Sequence, residues 1–313
     1  MVAAVEEAKS LATSGIFEGE LSNIITVSKP PWVSEPHTGK LERIILLVGE
    51  GKGKFSEARG IPRSIGCLGN NKLLLYREKL SVSKFKRVID EFKSLNPNGE
   101  VYVTNYDDIN DAVEIAMHAA RRGLKTYLIA RAEDVPNVPE DRSFKLVGEY
   151  IYGEDGLDHL DKIDILMLVM RYKEYKSLIK EGIDFDGEIW IDILYPGSFK
   201  FLDFNPVEIR KIYNPSAMTY SPCMAGLIAI SPEGFVTPCP LLRKIIVGDI
   251  TKESLRKIVK KQKLRRFWKL TKDDIEPCSR CSFRYVCHDC RALEYQATGE
   301  LFGMEFCPLL DFF

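Results

Sequence analysis

The stretch Cys278-Ser279-Arg280-Cys281-Ser282-Phe283-Arg284-Tyr285-Val286-Cys287-His288-Asp289-Cys290 places four thiols within thirteen residues. Cys307 follows after sixteen more residues, and Cys223 and Cys239 come earlier, with Gly234 between them. Seven of the eight cysteines thus form one ordered series, C-x10-G-x4-C and then C-x2-C-x5-C-x2-C-x16-C. Thiols this dense, in a chain without a secretory signal, read as metal ligands before they read as disulfides. An iron–sulfur centre needs three or four thiolates converging in a small space, which tight C-x2-C and C-x5-C loops deliver. Paired C-x2-C knuckles also occur in zinc ribbons, but there they stand about a dozen residues or more apart. Zinc also leaves Cys223, Cys239 and Cys307 without a role.

The residues around the thiols narrow the reading. Pro232-Glu233-Gly234 is turn chemistry between two short β-type runs, Gly226 to Ile230 and Phe235 to Thr237. Pro238-Cys239-Pro240 follows, then Gly248-Asp249-Ile250 and a basic helix, Lys252 to Lys269, before the clustered cysteines. This order, over roughly residues 216–310, resembles the SPASM domain, the auxiliary-cluster domain at the C-terminus of many radical S-adenosylmethionine (SAM) enzymes. The resemblance implies up to two [4Fe–4S] clusters. One would take Cys278, Cys281, Cys287 and Cys307, and the other Cys223, Cys239 and Cys290. Two departures from the family pattern bear on the second cluster. Only His288 and Asp289 separate Cys287 from Cys290, where three residues are usual, and Ser216 to Ser221 lacks the additional cysteine that many members carry. One or two clusters are therefore expected, the second with its fourth ligand open. Arg280, Arg284 and Arg291 lie close in sequence to the thiols and offset the negative charge of thiolate clusters.

A chain of 313 residues, 45% hydrophobic, has room for one large and one small domain with a proper core. A formal net charge of −1 disfavours a nucleic-acid or membrane-surface protein. The helix Lys252 to Lys269 is basic, but its aromatic content is Phe267 and Trp268 alone. Glu6, Glu7 and Lys9 interrupt any apolar run near Met1, and the longest apolar stretch, Ile165 to Met170, is far short of a membrane span. A cytoplasmic location is expected.

From Leu73 the pattern is strand–helix alternation. Buried-strand runs read at Arg43 to Val48, Val101 to Thr104, Lys125 to Ala130, Ile163 to Met170 and Glu188 to Leu194. Between them lie amphipathic helices. One is capped at Ser81 or Ser83 and buries Phe85, Val88, Ile89 and Phe92; another is capped at Asp108 and ended by Gly123; a third spans Glu174 to Lys180. Asn205-Pro206-Val207-Glu208 reads as a further helix start. Residues 1–15 read as a short helix, and 16–40 as an irregular extension without chemistry. The glycine-rich Gly49 to Lys54 lacks the Walker spacing and reads as a mobile basic loop. The acidic run Glu154 to Asp164 reads as a solvated face. The lone Cys67 reads as a small buried hydrophobe, with a distant ligand for the incomplete cluster as the alternative that no local pattern supports.

Repeated β-α-β units imply a parallel sheet flanked by helices, with ligands beyond the C-terminal strand ends. The expected architecture is α/β: an extension at 1–40, a partial, degenerate radical SAM-type (β/α) barrel at 41–215, and a small cysteine-rich SPASM domain at 216–313. Leu80 to Ala130 resembles the radical SAM core by pattern. There, however, the family's Thr-Gly-Gly-Glu-Pro strand end is replaced by Thr104-Asn105-Tyr106-Asp107-Asp108. Residues 1–222 contain only Cys67, so C-x3-C-x2-C, whose cluster binds and cleaves SAM, is missing. The resemblance then implies a non-initiating relative that does not use SAM. It would serve as an accessory electron carrier or substrate-positioning partner in peptide or protein modification, alongside a complete radical SAM enzyme or a peptide substrate. An oxidoreductase using an open iron at the three-cysteine site is the rival enzyme reading, and a zinc-stapled interaction module the structural one.

Overall fold

A computed structural model describes residues 23–56, 63–64, 67–195, 207–209, 213–307 and 309. The helix expected over 1–15 lies outside these residues. The strands are β1 Ile24–Val27, β2 Arg43–Leu47, β3 Arg63–Ser64, β4 Glu100–Thr104, β5 Lys125–Arg131, β6 Lys145–Ile151, β7 Ile165–Met170, β8 Glu188–Tyr195, β9 Glu208–Ile209, β10 Leu227–Ile230, β11 Phe235–Thr237, β12 Gly248–Asp249 and β13 Cys287–His288. The main sheet runs β1-β8-β7-β6-β5-β4-β2-β10-β11-β12. It is parallel from β1 through to β10, and the hairpin strands β11 and β12 then continue it antiparallel.

Continuous apolar runs explain why these strands form a sheet covered on both faces. Every residue of β2 (Arg-Ile-Ile-Leu-Leu) and of β7 (Ile-Leu-Met-Leu-Val-Met) is buried. Helices α1 (Val82–Leu95) and α2 (Ile109–Arg121) cover one face with the stripes Phe85-Val88-Ile89-Phe92 and Ile109-Ala112-Ile115-Ala116-Ala119. The Asp108 carboxylate caps α2 by accepting from the Asn110 N–H, and Gly123 closes it at φ +71°. Ser81 is the N-cap of α1, but its hydroxyl bonds the Ser83 hydroxyl at 2.9 Å rather than the helix. Helix α3 spans Tyr172–Glu181. On the other face Trp32, Tyr102, Tyr127 and Trp190 form a contiguous row of rings, with Tyr102 and Tyr127 stacked at 4.7 Å. Period-two alternation puts Thr104 beyond Tyr102 and Asp192 beyond Trp190 on that face.

Several expectations are corrected. Within 16–40, Ile24–Val27 is a sheet strand rather than irregular chain, because β8 offers it an open parallel edge. Lys145–Ile151 is a strand that the sequence pattern left unassigned. Glu208–Ile209, expected in a helix, pairs with Cys287–His288. The basic segment is two short helices, α4 (Leu255–Ile258) and α5 (Gln262–Trp268). The Gly49 to Lys54 loop is tied down, since Asn105 Nδ2 donates to the Gly49 and Glu50 carbonyls at 3.1 and 3.2 Å. In the acidic run, Asp155 and Asp164 accept from the backbone N–H groups of Ile151 and Leu146. Among the described residues no helix is long and apolar enough to cross a membrane.

Candidate metal centre

Each thiol sits where local backbone chemistry turns the chain. Cys223 precedes β10, and its carbonyl accepts from the Trp32 indole N–H at 3.0 Å. Cys239 follows β11 and opens the 3-10 turn Pro240–Leu242. In the first C-x2-C, a 3-10 turn over Cys278–Arg280 closes with the Cys281 N–H on the Cys278 carbonyl at 2.9 Å. The Cys287 N–H donates to the Phe283 carbonyl at 2.7 Å, and β13 is held by β9. Cys290 is the N-cap of α6 (Arg291–Thr298). Near the end of the chain the Cys307 N–H bonds the Met304 carbonyl at 2.9 Å, and Met304 Sδ lies 3.3 Å from Cys278 Sγ.

These turns bring the thiols around two adjoining cavities. Cys278, Cys281, Cys287 and Cys307 line one. Cys223, Cys239 and Cys290 line the other, with Cys287 also on its wall. Cys67, read from sequence as an isolated hydrophobe, lines this second cavity as well. All eight cysteines are free thiols. Among the described residues, no three His, Cys, Asp or Glu side chains stand close enough to hold a single metal ion. On donor type and donor number the two sets of thiols suit iron–sulfur clusters, which take three or four thiolates each.

Burial dominates the electrostatics. It pushes the Cys223 and Cys287 thiols up to about 12 and raises Cys67, Cys278, Cys290 and Cys307 as well. The free thiols are thus neutral, and a metal group bound here displaces their protons. Cations counter the burial on each side: Lys29 acts on Cys223 and Cys290, and Lys272 on Cys278, Cys287 and Cys307. Lys272, Arg284, Asp289 and Arg291 belong to the walls of both cavities. Asp289 pairs with Lys272 and with Arg291. Burial opposes its ionisation, yet the two cations hold its carboxyl down at about 2. Arg280, by contrast, is 80% exposed, pairs with Glu276 and lines neither cavity.

The sequence missed Lys29 and Lys272, and for Cys67 it favoured packing over the distant-ligand alternative. Lys272 was findable as a cation just before the first C-x2-C. Lys29 carried no local signal.

Residues 223–282 match the family model of SPASM, an iron–sulfur cluster-binding domain. That match and the sheet topology define the class of protein: a mixed α/β chain with an iron–sulfur-binding SPASM domain at its C-terminus. Among solved structures, the fold is similar to that of Streptococcus suis SuiB bound to S-adenosylmethionine, at 11% identity and a TM-score of 0.53, covering 86% of this chain and 77% of that one. A second crystal structure of S. suis SuiB superposes with a TM-score of 0.52 at 12% identity over the same shares. No curated protein matches the chain. The SPASM resemblance drawn from the cysteine series thus holds in the domain match, and the expected α/β architecture in the fold.

Proposed function

We propose that the chain carries two [4Fe–4S] clusters, one on Cys278, Cys281, Cys287 and Cys307 and the other on a set including Cys223, Cys239 and Cys290. It would serve as a non-initiating accessory, an electron carrier or substrate-positioning partner, in peptide or protein modification. In this reading residues 41–215 are the barrel and 216–313 the cluster-bearing unit. The observation that carries it is the pair of thiol-lined cavities sharing one wall. Bound there, such clusters supply one-electron transfer at potentials set by net charge, hydrogen bonds and exposure.

The chain's own contribution is electrostatic and positional. Lys272 and Arg291 place two positive charges between the cavities, and Asp289 fixes both in place. Positive charge beside thiolates favours the more negative, reduced state of whatever they hold. Support for a non-initiating role lies at the strand end after β4, where Asn105 and Tyr106 are buried and bonded to the chain itself. Peptide modification is the process the family resemblance points towards.

The test is anaerobic reconstitution followed by iron and sulfide analysis. About eight irons per chain with matching sulfide is the expected result. Stoichiometric zinc without sulfide, in protein made under iron-replete anaerobic conditions, would sink the assignment.

A further inference from the structure

We infer that Cys67 is the fourth protein ligand of the cluster held by Cys223, Cys239 and Cys290, so that this site is closed by a residue from the barrel. The inference rests on the two-cluster reading and names a ligand that reading leaves open. Its foundation is placement. Cys67 lines the same cavity as the other three thiols. The side chain is partly buried and packs against the core on one side, while it also stands on the cavity wall that carries Cys223, Cys239 and Cys290.

The loop carrying Cys67 is also fixed there by two residues that follow it, Leu68 and Asn70. The Leu68 carbonyl accepts from Thr104 Oγ1 at 2.8 Å. The Asn70 N–H donates to Glu149 Oε2 at 3.0 Å, and Asn70 Oδ1 accepts from the Asn105 N–H at 2.6 Å. Leu68, Asn70, Thr104, Asn105 and Glu149 are all buried, so bonds to β6 and to the end of β4 hold the segment within the barrel. Such anchoring pre-positions a ligand far away in sequence, and so lowers the ordering cost of binding. Ligation replaces the Cys67 S–H with an S–Fe bond and releases the proton to solvent. With four cysteines in place no iron at this site is left open. This favours the electron-carrier role over substrate chemistry at a vacant iron.

Four reconstituted proteins test this: the unmodified chain, Cys67→Ala, Cys67→Ser and, as reference for the signal of the other cluster alone, Cys223→Ala. Iron and sulfide are counted, and electron paramagnetic resonance (EPR) of dithionite-reduced samples is recorded with and without cyanide, which binds an open iron. The unmodified protein is expected to ignore cyanide. Cys67→Ala should either lose about half the iron or keep a cluster whose signal becomes cyanide-sensitive, while the signal that survives in Cys223→Ala protein persists. Cys67→Ser preserves size and should retain the cluster with a shifted midpoint potential. Far-UV circular dichroism checks folding, and the serine variant carries the test if the alanine variant fails to fold. A cyanide-sensitive unmodified protein overturns the inference, as do Cys67 variants with unchanged iron, EPR signal and potential. An unmodified protein without sulfide instead removes the two-cluster reading itself, and the Cys67 assignment with it.

Discussion

The backbone N–H of Asn105 donates to Asn70 Oδ1 at 2.6 Å, joining the end of β4 to the loop that brings Cys67 among the C-terminal thiols. Asn105 stands at φ +57°, a left-handed conformation that asparagine tolerates better than most residues. That turn aims its N–H at Asn70, while its Nδ2 reaches back to Gly49 and Glu50. On its other side Asn70 donates both its backbone N–H and its Nδ2 to Glu149. One asparagine thus connects the loop that carries Cys67 to two strands of the main sheet.

Glu149 makes stability depend on pH. Burial raises its carboxyl from the ordinary 4.5 to about 7, against the pull of the Asn70 donors and with a further push from Asp192. Between these values the folded protein holds a proton that the unfolded chain has released, so stability from this group falls as pH rises. The loss is complete above pH 7 and amounts to about 3 kcal/mol. Glu149→Gln keeps an oxygen for Asn70 and removes the charge. Urea unfolding at pH 8 should show the variant more stable by up to about 3 kcal/mol, with little difference at pH 5. A variant less stable at pH 8 would show that the ionised carboxylate is the favoured form.

The Lys272–Asp289–Arg291 group offers a second test. The Lys272 and Asp289 side chains are only 12% and 11% exposed, so removing one partner strands charge in a low-dielectric wall. Lys272→Met should destabilise the protein by about 3 kcal/mol, near the low end for a broken buried pair because Arg291 still neutralises Asp289. Lys272→Met/Asp289→Asn should recover part of that loss. In reconstituted Lys272→Met, redox titration should give more negative midpoint potentials, since a positive charge beside the thiolates is gone. Unchanged potentials would mean that Lys272 serves packing alone.

Much of this was legible in the sequence, for physical reasons that differ by element. β2, β7 and α2 announce themselves through apolar runs and a 3.6-residue stripe, because burial on two faces or one leaves a periodic trace. β6 escaped because Gly148 and Glu149 interrupt its apolar run, and both face constraints that only the folded sheet imposes. The seven C-terminal cysteines were legible because their spacing is short-range. Cys67 was not, since its meaning depends on loop closure across more than half of the chain. Lys29 lies in a segment whose strand exists only because β8 presents an edge. Arg280 was misread because closeness in sequence to Cys281 does not fix which way a side chain in a 3-10 turn leaves the backbone.

The two clusters should be separable by mutation. Cys281 lines only the first cavity and Cys223 only the second. Cys281→Ala and Cys223→Ala should therefore each lose about four irons, with complementary EPR spectra. Cys287 is on the wall of both, so Cys287→Ala should perturb both signals. Identical residual spectra in the first two variants would contradict two separate sites.

The protein should not cleave SAM. Reductive cleavage needs an iron with a free coordination position beside a pocket that grips the amino and carboxylate groups of SAM. In the radical SAM pattern three clustered thiols supply that iron, and Cys67 is the only cysteine before Cys223. It also lines the cavity that holds the C-terminal thiols Cys223, Cys239 and Cys290. The gripping strand end is filled by the chain itself. Asn105 is 1% exposed, and a Cβ on Gly51 would stand 2.7 Å from its Nδ2, so the loop after β2 packs directly onto it. Tyr106 is equally buried, with its hydroxyl donating to Asp134 at 2.8 Å. Reconstituted protein given SAM and dithionite should yield no 5′-deoxyadenosine above a protein-free control. Titration calorimetry should show no SAM binding at micromolar concentration. Catalytic 5′-deoxyadenosine formation that disappears in a Cys→Ala variant would overturn the non-initiating assignment, and would require an open iron that the four-thiol site around Cys67 does not leave.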